Sequence, residues 1–343
     1  MLNRSVRHAS LIIIFTIAAV SACLISIATG AVMIPLRDIV TGILHHELPG
    51  MNRDIIWNIR LPRTLVAMLV GANLAVSGAL LQGVMRNPLA DPHIIGVSSG
   101  AGLFGIFLLV VVPQYDFLLT PAAFLGATLA AFIIYLLSWK DGVSPLRIVL
   151  SGVAVSAFLG SGISAMLTFY SDRVHGALIF MVGGLAAKSW PDLSTILPYS
   201  LIGLLLAMIF SKQMNIMMLG DANARNLGTR VELSRLLITA IATLLAASAV
   251  SIAGLLGFVG LIVPHIAKLL VGGDYRILIP SSALLGAAVL TFCDTLARMM
   301  FTPIELPVGI IMGALGAPFF LYLLRRRKHD TFGDLRSFAE IPG

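Results

Sequence analysis

The chain has 343 residues, of which 58% are hydrophobic and 11% charged, against roughly 25% charged in soluble domains. Its mean hydropathy of +0.97 is more apolar surface than a water-soluble globule can hide, whereas a bilayer itself solvates such a chain. The net charge of +7 does not require nucleic acid as a partner, because basic residues accumulate at the cytoplasmic ends of membrane helices. The two cysteines, Cys23 and Cys293, both lie in apolar runs and read as small buried hydrophobes, neither a disulfide nor a metal pair.

Apolar stretches that can span a bilayer fall at about 11–34, 62–83, 94–112, 120–139, 146–169, 191–211, 233–255, 258–272, 277–300 and 306–324. In the first of these, Val20-Ser21-Ala22-Cys23 resembles a lipoprotein processing site. The apolar run continues well past Cys23, however, and a cleaved signal has a core of only about 7–15 residues. An uncleaved first span is the expectation. The seventh and eighth stretches need an argument. Between Arg235 and Lys268 lie 32 residues without formal charge. As one helix they would run about 48 Å, well beyond a hydrocarbon core of about 30 Å. Gly254, Gly257 and Gly260 sit in the middle and predict a tight reversal into two spans. The second of the two carries Pro264 and His265, so its loose backbone groups must face protein or water. The stretch 170–190 is too broken to span, and Ile179 to Ala187 is expected to form a short helix at the outer interface.

Charge sets the orientation. Arg4 and Arg7 place the N-terminus in the cytoplasm, and Arg325, Arg326, Arg327 and Lys328 place the C-terminus there too. Both ends inside demand an even number of spans, so the sequence predicts an all-α polytopic membrane protein with about ten transmembrane helices. Of the 23 Lys and Arg residues, sixteen then lie inside and seven outside: Arg37, Arg53, Arg60, Arg63, Arg173, Lys188 and Arg298. The seven form the search list for an external site.

Arg60 and Arg63 bracket Pro62 at the outer start of the second span. There they oppose both the helix dipole and the inside bias. An acidic partner would explain them, and so would snorkelling to lipid phosphate. Arg298 has Asp294 four residues earlier on its own helix face as a rival partner. Gly71, Ala75, Ala79 and Gly83 recur every fourth residue and predict a face for close helix packing. The turn Arg86-Asn87-Pro88-Leu89-Ala90-Asp91-Pro92 stops the helix, and Asp91 is placed to cap the next span. Gly152, Ser156, Gly160, Ser164 and Thr168 form a small, mildly polar stripe along the fifth span. It lines either a wide path or a packing seam. The loop of about 212–232 is the longest cytoplasmic connection. In it Asp221 is expected to cap a short helix, with Ala224 and Leu227 on one face and Gly228 at its end. Such a helix fits a groove on a soluble partner or serves as a plain interfacial turn. His93 and His265 lie near cytoplasmic helix ends without converging ligands, so no metal site is expected. No charge lies clearly at mid-span, which argues against a proton- or ion-coupled secondary transporter. A membrane enzyme or receptor would need a catalytic cluster or a soluble domain, and neither is visible. A Walker-type phosphate loop needs a Gly-Lys pair that the sequence lacks.

The stretch from Asn58 to Gly102, NIRLPRTLVAMLVGANLAVSGALLQGVMRNPLADPHIIGVSSGAG, resembles the signature of the FecCD family of permeases. Further matches come in order along the chain: Leu219-Gly220-Asp221 with Ala224, Leu227 and Gly228; Gly260-Leu261-Ile262-Val263-Pro264-His265; Glu305-Leu306-Pro307-Val308-Gly309; and Gly316-Ala317-Pro318. The resemblance implies a type II ABC importer permease fold, one transmembrane domain over 1–343 and a place in the bacterial cytoplasmic (inner) membrane. It also implies a cargo of ferric siderophore, haem or vitamin B12. Its partners would be a second permease subunit, in a homo- or heterodimer, two cytoplasmic ATPase subunits that bind ATP and Mg, and an extracytoplasmic substrate-binding protein. This chain would itself be no enzyme and carry no cofactor. By the same resemblance Arg60, Arg63 and Arg298 dock acidic residues of the binding protein. Gly220, Asp221, Ala224, Leu227 and Gly228 form the coupling helix that meets the ATPase. The fifth span and the short helix after it line the pathway.

Overall fold

The computed structural model describes residues 4–30, 33–35, 37–39, 51–140, 144–302 and 304–321. The C-terminal cluster Arg325–Lys328, Arg336 and the end of the tenth apolar stretch lie outside the described residues. In chain order the helices are α1 (Arg4–Ala28), α2 (Leu61–Val84), α3 (Val97–Ile106), α4 (Leu119–Leu137), α5 (Pro145–Phe169), α6 (Val174–Val182), α7 (Trp190–Ile209), α8 (Ser211–Met217), α9 (Asp221–Asn226), α10 (Val231–Ala253), α11 (Val259–Val271), α12 (Tyr275–Met299) and α13 (Val308–Leu321). Among the described residues seven helices are long and apolar enough to cross a membrane, and three shorter apolar ones cover 97–111, 259–271 and 308–321. Each of the ten coincides with an apolar stretch read from the sequence.

Helix α2 is the centre of the bundle. In α2 and α10, 83% and 78% of the spanning window is buried, against 17% in α5 and 22% in α7. Missing side chains make this possible. A Cβ at Gly71 would lie 2.2 Å from the Gly286 carbonyl oxygen on α12, and one at Gly78 would lie 1.8 Å from that of Gly260 on α11. Gly83 faces Tyr275 and Met214, so the four-residue periodicity is the seam on which α2 meets its neighbours. Polar side chains pin the same helix laterally, as they do where hydrocarbon offers no other partner. Asn73 Nδ2 donates to Ser200 Oγ (2.7 Å) and Ser248 Oγ (3.1 Å), and Ser77 Oγ donates to the Ala242 carbonyl (2.7 Å).

The reversal between α10 and α11 is where the sequence placed it. Helix α10 stops at Ala253, and Gly254 takes φ +76°. Pro264 deprives the Gly260 carbonyl of its donor four residues on. Gln82 Nε2 reaches across from α2 to that carbonyl (3.3 Å) and to Leu261 (3.2 Å), so the loose group faces protein.

Three expectations change. The second span does not begin at Pro62. An α-turn over Met51–Asp54 and a π-helical turn over Ile55–Arg60 run into α2 without a break. Wider winding before Pro62 avoids the clash an ordinary α-turn would give. Arg60 and Arg63 therefore lie inside a continuous helix, and the helix-dipole objection to them falls away. The short outer helix spans Val174–Val182 and not Ile179–Ala187, because Gly183 turns the chain at φ +80° and Gly184 N–H bonds the Ala253 carbonyl (2.8 Å). Asp91 accepts from His93 N–H (2.9 Å) and caps a 3-10 turn over Pro92–Ile95, ahead of α3 rather than on it.

Two further bonds join helix ends far apart in sequence. Arg7 donates to the Leu270 carbonyl (2.8 Å) at the inner end, and Trp190 Nε1 donates to the Trp57 carbonyl (2.8 Å) at the outer end.

A Gly71→Ala substitution overlaps the Gly286 backbone and is expected to cost at least about 1–3 kcal/mol. Gly176→Ala has nothing within 4 Å of the new methyl and should be close to neutral. Thermal melts of the purified chain in detergent check the contrast, and equal melting of the two variants would contradict the packing seam.

Candidate functional site

Two charged clusters sit at opposite ends of α2. At the outer end the chain brings Arg60, Arg63 and Arg298 together, all buried. Arg63 spends its whole fork on its own chain. Nε and Nη2 donate to the two oxygens of Asp294 on α12 (3.0 and 2.9 Å), and Nη1 donates to Glu305 Oε2 (2.7 Å). Arg298 lies 3.5 Å from Asp294 through Nε and donates through Nη2 to Ser26 Oγ (2.9 Å) and the Ser26 carbonyl (3.1 Å). Arg60 Nη1 donates to the Ile27 and Ala28 carbonyls (2.7 and 3.1 Å), which are end groups of α1 without a helical donor. The cluster thus ties α1, α2, α12 and the segment before α13. Asp294 has a side chain 1% exposed, whereas Glu305 is 48% exposed. The Asp294 rivalry for Arg298 was readable at four-residue spacing. Its bidentate pairing with Arg63 joins positions far apart in sequence and carries no local signal. Beside Glu305 lies a cavity of about 550 Å³, lined among others by His175, Lys188, Leu306 and Pro307.

At the inner end, α9 begins after Gly220 (φ +100°), and Gly228 (φ +79°) lies just beyond its close. Gly220, not Asp221, is the N-cap residue. The Asp221 carboxylate turns away from the helix end to accept from Arg235 Nη2 (3.0 and 3.1 Å) and from Arg86. Arg86 also donates to the Met217 carbonyl (3.0 Å), and Arg235 donates to Glu232 (3.3 Å). Arg86 holds φ +47°, a left-handed conformation unusual for a residue with a Cβ. Ala224 and Leu227 are not on a common face, since Ala224 is fully buried and Leu227 is 60% exposed. Leu219, 56% exposed, is the apolar companion of Leu227 at the loop surface. Helix α8 is anchored separately: Asn215 donates to Asp274 (2.7 Å) and accepts from Tyr275 N–H (2.9 Å). Partial burial pushes the Asp221 carboxyl up, but the Arg235 hydrogen bond and the Arg235 and Arg86 charges outweigh it and hold its pKa below the ordinary value. A depressed carboxyl stabilises the fold above its unfolded value of about 3.9 and loses that contribution as pH falls through the lowered folded value. The node is therefore intact across the neutral range.

The stripe on α5 converges with neither cluster. Gly152 is buried, Ser156 and Gly160 are half-buried, and Ser164 and Thr168 are exposed. Gly160 has nothing within 4 Å, and Val153 and Phe158 beside the stripe are 65% and 78% exposed. The helix presents most of its surface outward from this chain. Among the described residues no group of three or more His, Cys, Asp or Glu side chains could hold a metal ion.

Known proteins resemble this chain over most of its length. The FecCD transport family profile matches residues 16–326. An Fe(3+)-citrate import system permease protein of Bacillus subtilis (strain 168) is 42% identical over 275 residues, covering 80% of this chain and 82% of the relative. A cobalamin import system permease protein of Halobacterium salinarum is 43% identical over 286 residues, covering 83% and 77%. A hemin transport system permease protein of Yersinia pestis is 40% identical over 302 residues, covering 82% and 87%. A solved inward-facing structure of a metal-chelate type ABC transporter superposes with a TM-score of 0.81 at 29% identity, covering 93% of this chain and 99% of the other.

Removing Asp294 strands Arg63 and Arg298 without their shared carboxylate. Asp294→Ala is expected to destabilise by about 3–5 kcal/mol, as breaking a buried ion pair does. Glu305→Gln, on a half-exposed pair, should cost about 1 kcal/mol or less. Unfolding titrations of the solubilised chain measure both, and similar losses would contradict the reading that Asp294 is the keystone.

Proposed function

The chain belongs to the FecCD transport family, and from that premise we propose that it forms half of a translocation pore carrying a ferric siderophore complex into the cell. Haem or vitamin B12 is the alternative cargo of the same machinery. The chain is a multi-pass permease of an ABC importer. In the proposal it works in the bacterial cytoplasmic (inner) membrane beside a second permease subunit. Two cytoplasmic ATPase subunits bind ATP and Mg and do the hydrolysis, and an extracytoplasmic binding protein delivers the cargo. The relatives named for Fe(3+)-citrate, hemin and cobalamin import support a large preformed chelate as cargo. Iron, in this reading, travels inside its chelator and needs no ligands from the chain.

The observation that carries the proposal is the inner loop. Two large apolar side chains, Leu219 and Leu227, stand exposed on a polar connection, while Asp221 and Ala224 beneath them are engaged with the bundle. Exposed apolar anchors flanking a short helix, which is itself held to the bundle, suit a groove on a soluble protein. Gly220, Asp221, Ala224, Leu227 and Gly228 are thereby the coupling segment. Helix α5, with Gly152, Ser156, Gly160, Ser164 and Thr168, is the surface left for the second permease subunit and the path between the two. The outer cluster holds Arg63 and Arg298 against the carboxylates of Asp294 and Glu305, with Arg60 beside them on the α1 carbonyls, and this surplus of positive charge favours acidic side chains of a docking protein.

The two leucines give the test. Leu219 and Leu227 are more than half exposed, so Leu219→Asp and Leu227→Asp should leave the thermal stability of the purified permease nearly unchanged. Each is expected to lower association with the cognate ATPase subunit in nanodiscs by at least about tenfold, the usual consequence of losing an interface anchor. Undiminished association in both variants would remove the coupling assignment.

A further inference from the structure

The outer arginines are buried and occupied, and this constrains how anything can dock on them. Asp294 cannot be the group that leaves. Both its oxygens are engaged by Arg63, it is shared with Arg298, and its side chain is 1% exposed. Withdrawing it would leave two buried cations with only the half-exposed Glu305 as a counter-charge. Glu305 differs on each count. It binds Arg63 through Nη1 alone (2.7 Å), its side chain is about half exposed, and it sits on the non-helical segment between α12 and α13. The neighbours Phe301 and Ile304 on that segment are exposed. Behind it lies the cavity of about 550 Å³, whose wall includes Ile304, Glu305, Leu306 and Pro307. The segment can therefore shift without pulling apart a packed core.

We propose that Glu305 is an internal stand-in for an acidic side chain of the docking protein, and that docking at Arg63 is a carboxylate exchange that frees the segment 301–307. The inference rests on the docking reading above and states how that site is regulated. The exchange replaces one carboxylate on Nη1 by another, so the buried guanidinium is never left alone and the charge of the cluster is unchanged. It removes the need for Arg63 to be exposed before docking. It also gives docking a structural consequence, because Glu305 lies three residues before the start of α13.

The backbone of the segment supplies the readout. Ile304 N–H donates to the Phe301 carbonyl (2.8 Å), Leu306 N–H to Ala297 (3.2 Å) and Gly309 N–H to Gly183 (3.1 Å). Hydrogen exchange of the full chain in nanodiscs, read by mass spectrometry over 300–309, compares the wild type with Glu305→Gln. Exchange at Ile304 and Leu306 should quicken by up to about fivefold, the population change that weakening one half-exposed charge-assisted hydrogen bond produces. Protection in α2 and α12 should stay at the wild-type level, since Asp294 still holds Arg63. A blocked Glu-Gly-Glu peptide at millimolar concentration, added to the wild type, should quicken the same amides, and its Gln-Gly-Gln counterpart should not. Wild-type exchange rates in Glu305→Gln overturn the stand-in and leave docking at the cluster standing. A segment that opens in Glu305→Gln but ignores the acidic peptide overturns the exchange together with docking at this cluster. If the variant loses protection throughout the bundle, the peptide arm on the wild type decides alone.

Discussion

The architecture depends on how closely α2 can approach its neighbours. Gly71 against Gly286 and Gly78 against Gly260 bring backbone to backbone, at distances where a single added methyl would overlap a carbonyl oxygen. In hydrocarbon no hydrophobic force distinguishes a helix partner from a lipid tail, so tight packing and lateral hydrogen bonds have to hold the bundle. Asn73, Ser77 and Gln82 add those bonds on the same helix. The outcome is a central rod that reaches both surfaces. Arg63 projects from its outer end and Arg86 lies just past its inner end, and each is fixed to carboxylates of other elements.

This explains why so few charges suffice for two sites. At the outer end one buried aspartate organises two arginines, and a half-exposed glutamate completes the set. At the inner end one aspartate joins the loop helix α9 to α10 through Arg235 and to the end of α2 through Arg86. Helix α9 is thereby tied to the two most buried of the seven long apolar helices among the described residues. The Arg63–Asp294 pair is buried, 7% and 1% exposed, and removing one partner of such a pair leaves an uncompensated buried charge.

Much of this was legible in the sequence. Hydropathy runs gave all ten apolar helices. The Gly254–Gly260 spacing gave the reversal. The four-residue repeat Gly71-Ala75-Ala79-Gly83 announced the packing face. What could not be read was pairing across distant segments, such as Arg63 with Asp294 and Glu305 or Asp221 with Arg235 and Arg86, because no local periodicity encodes it. The π-helical turn before Pro62 was missed for a related reason: propensity marks a proline as a helix start and is blind to a change of winding that lets the helix pass through it. The cap expected of Asp221 failed because two arginines compete for the same carboxylate, and Gly220, at positive φ, already serves as N-cap. The α5 stripe was visible, but a single chain leaves it facing outward, where only a partner gives it meaning.

In the proposed function this chain is a passive half-pore driven by other subunits. Uptake of a radiolabelled ferric siderophore into proteoliposomes tests it most directly. The chain is reconstituted alone, or with its ATPase subunits and binding protein, each with and without ATP inside. The account predicts accumulation only when the partners and ATP are all present. Uptake by the chain alone, driven by an ion gradient, would contradict it.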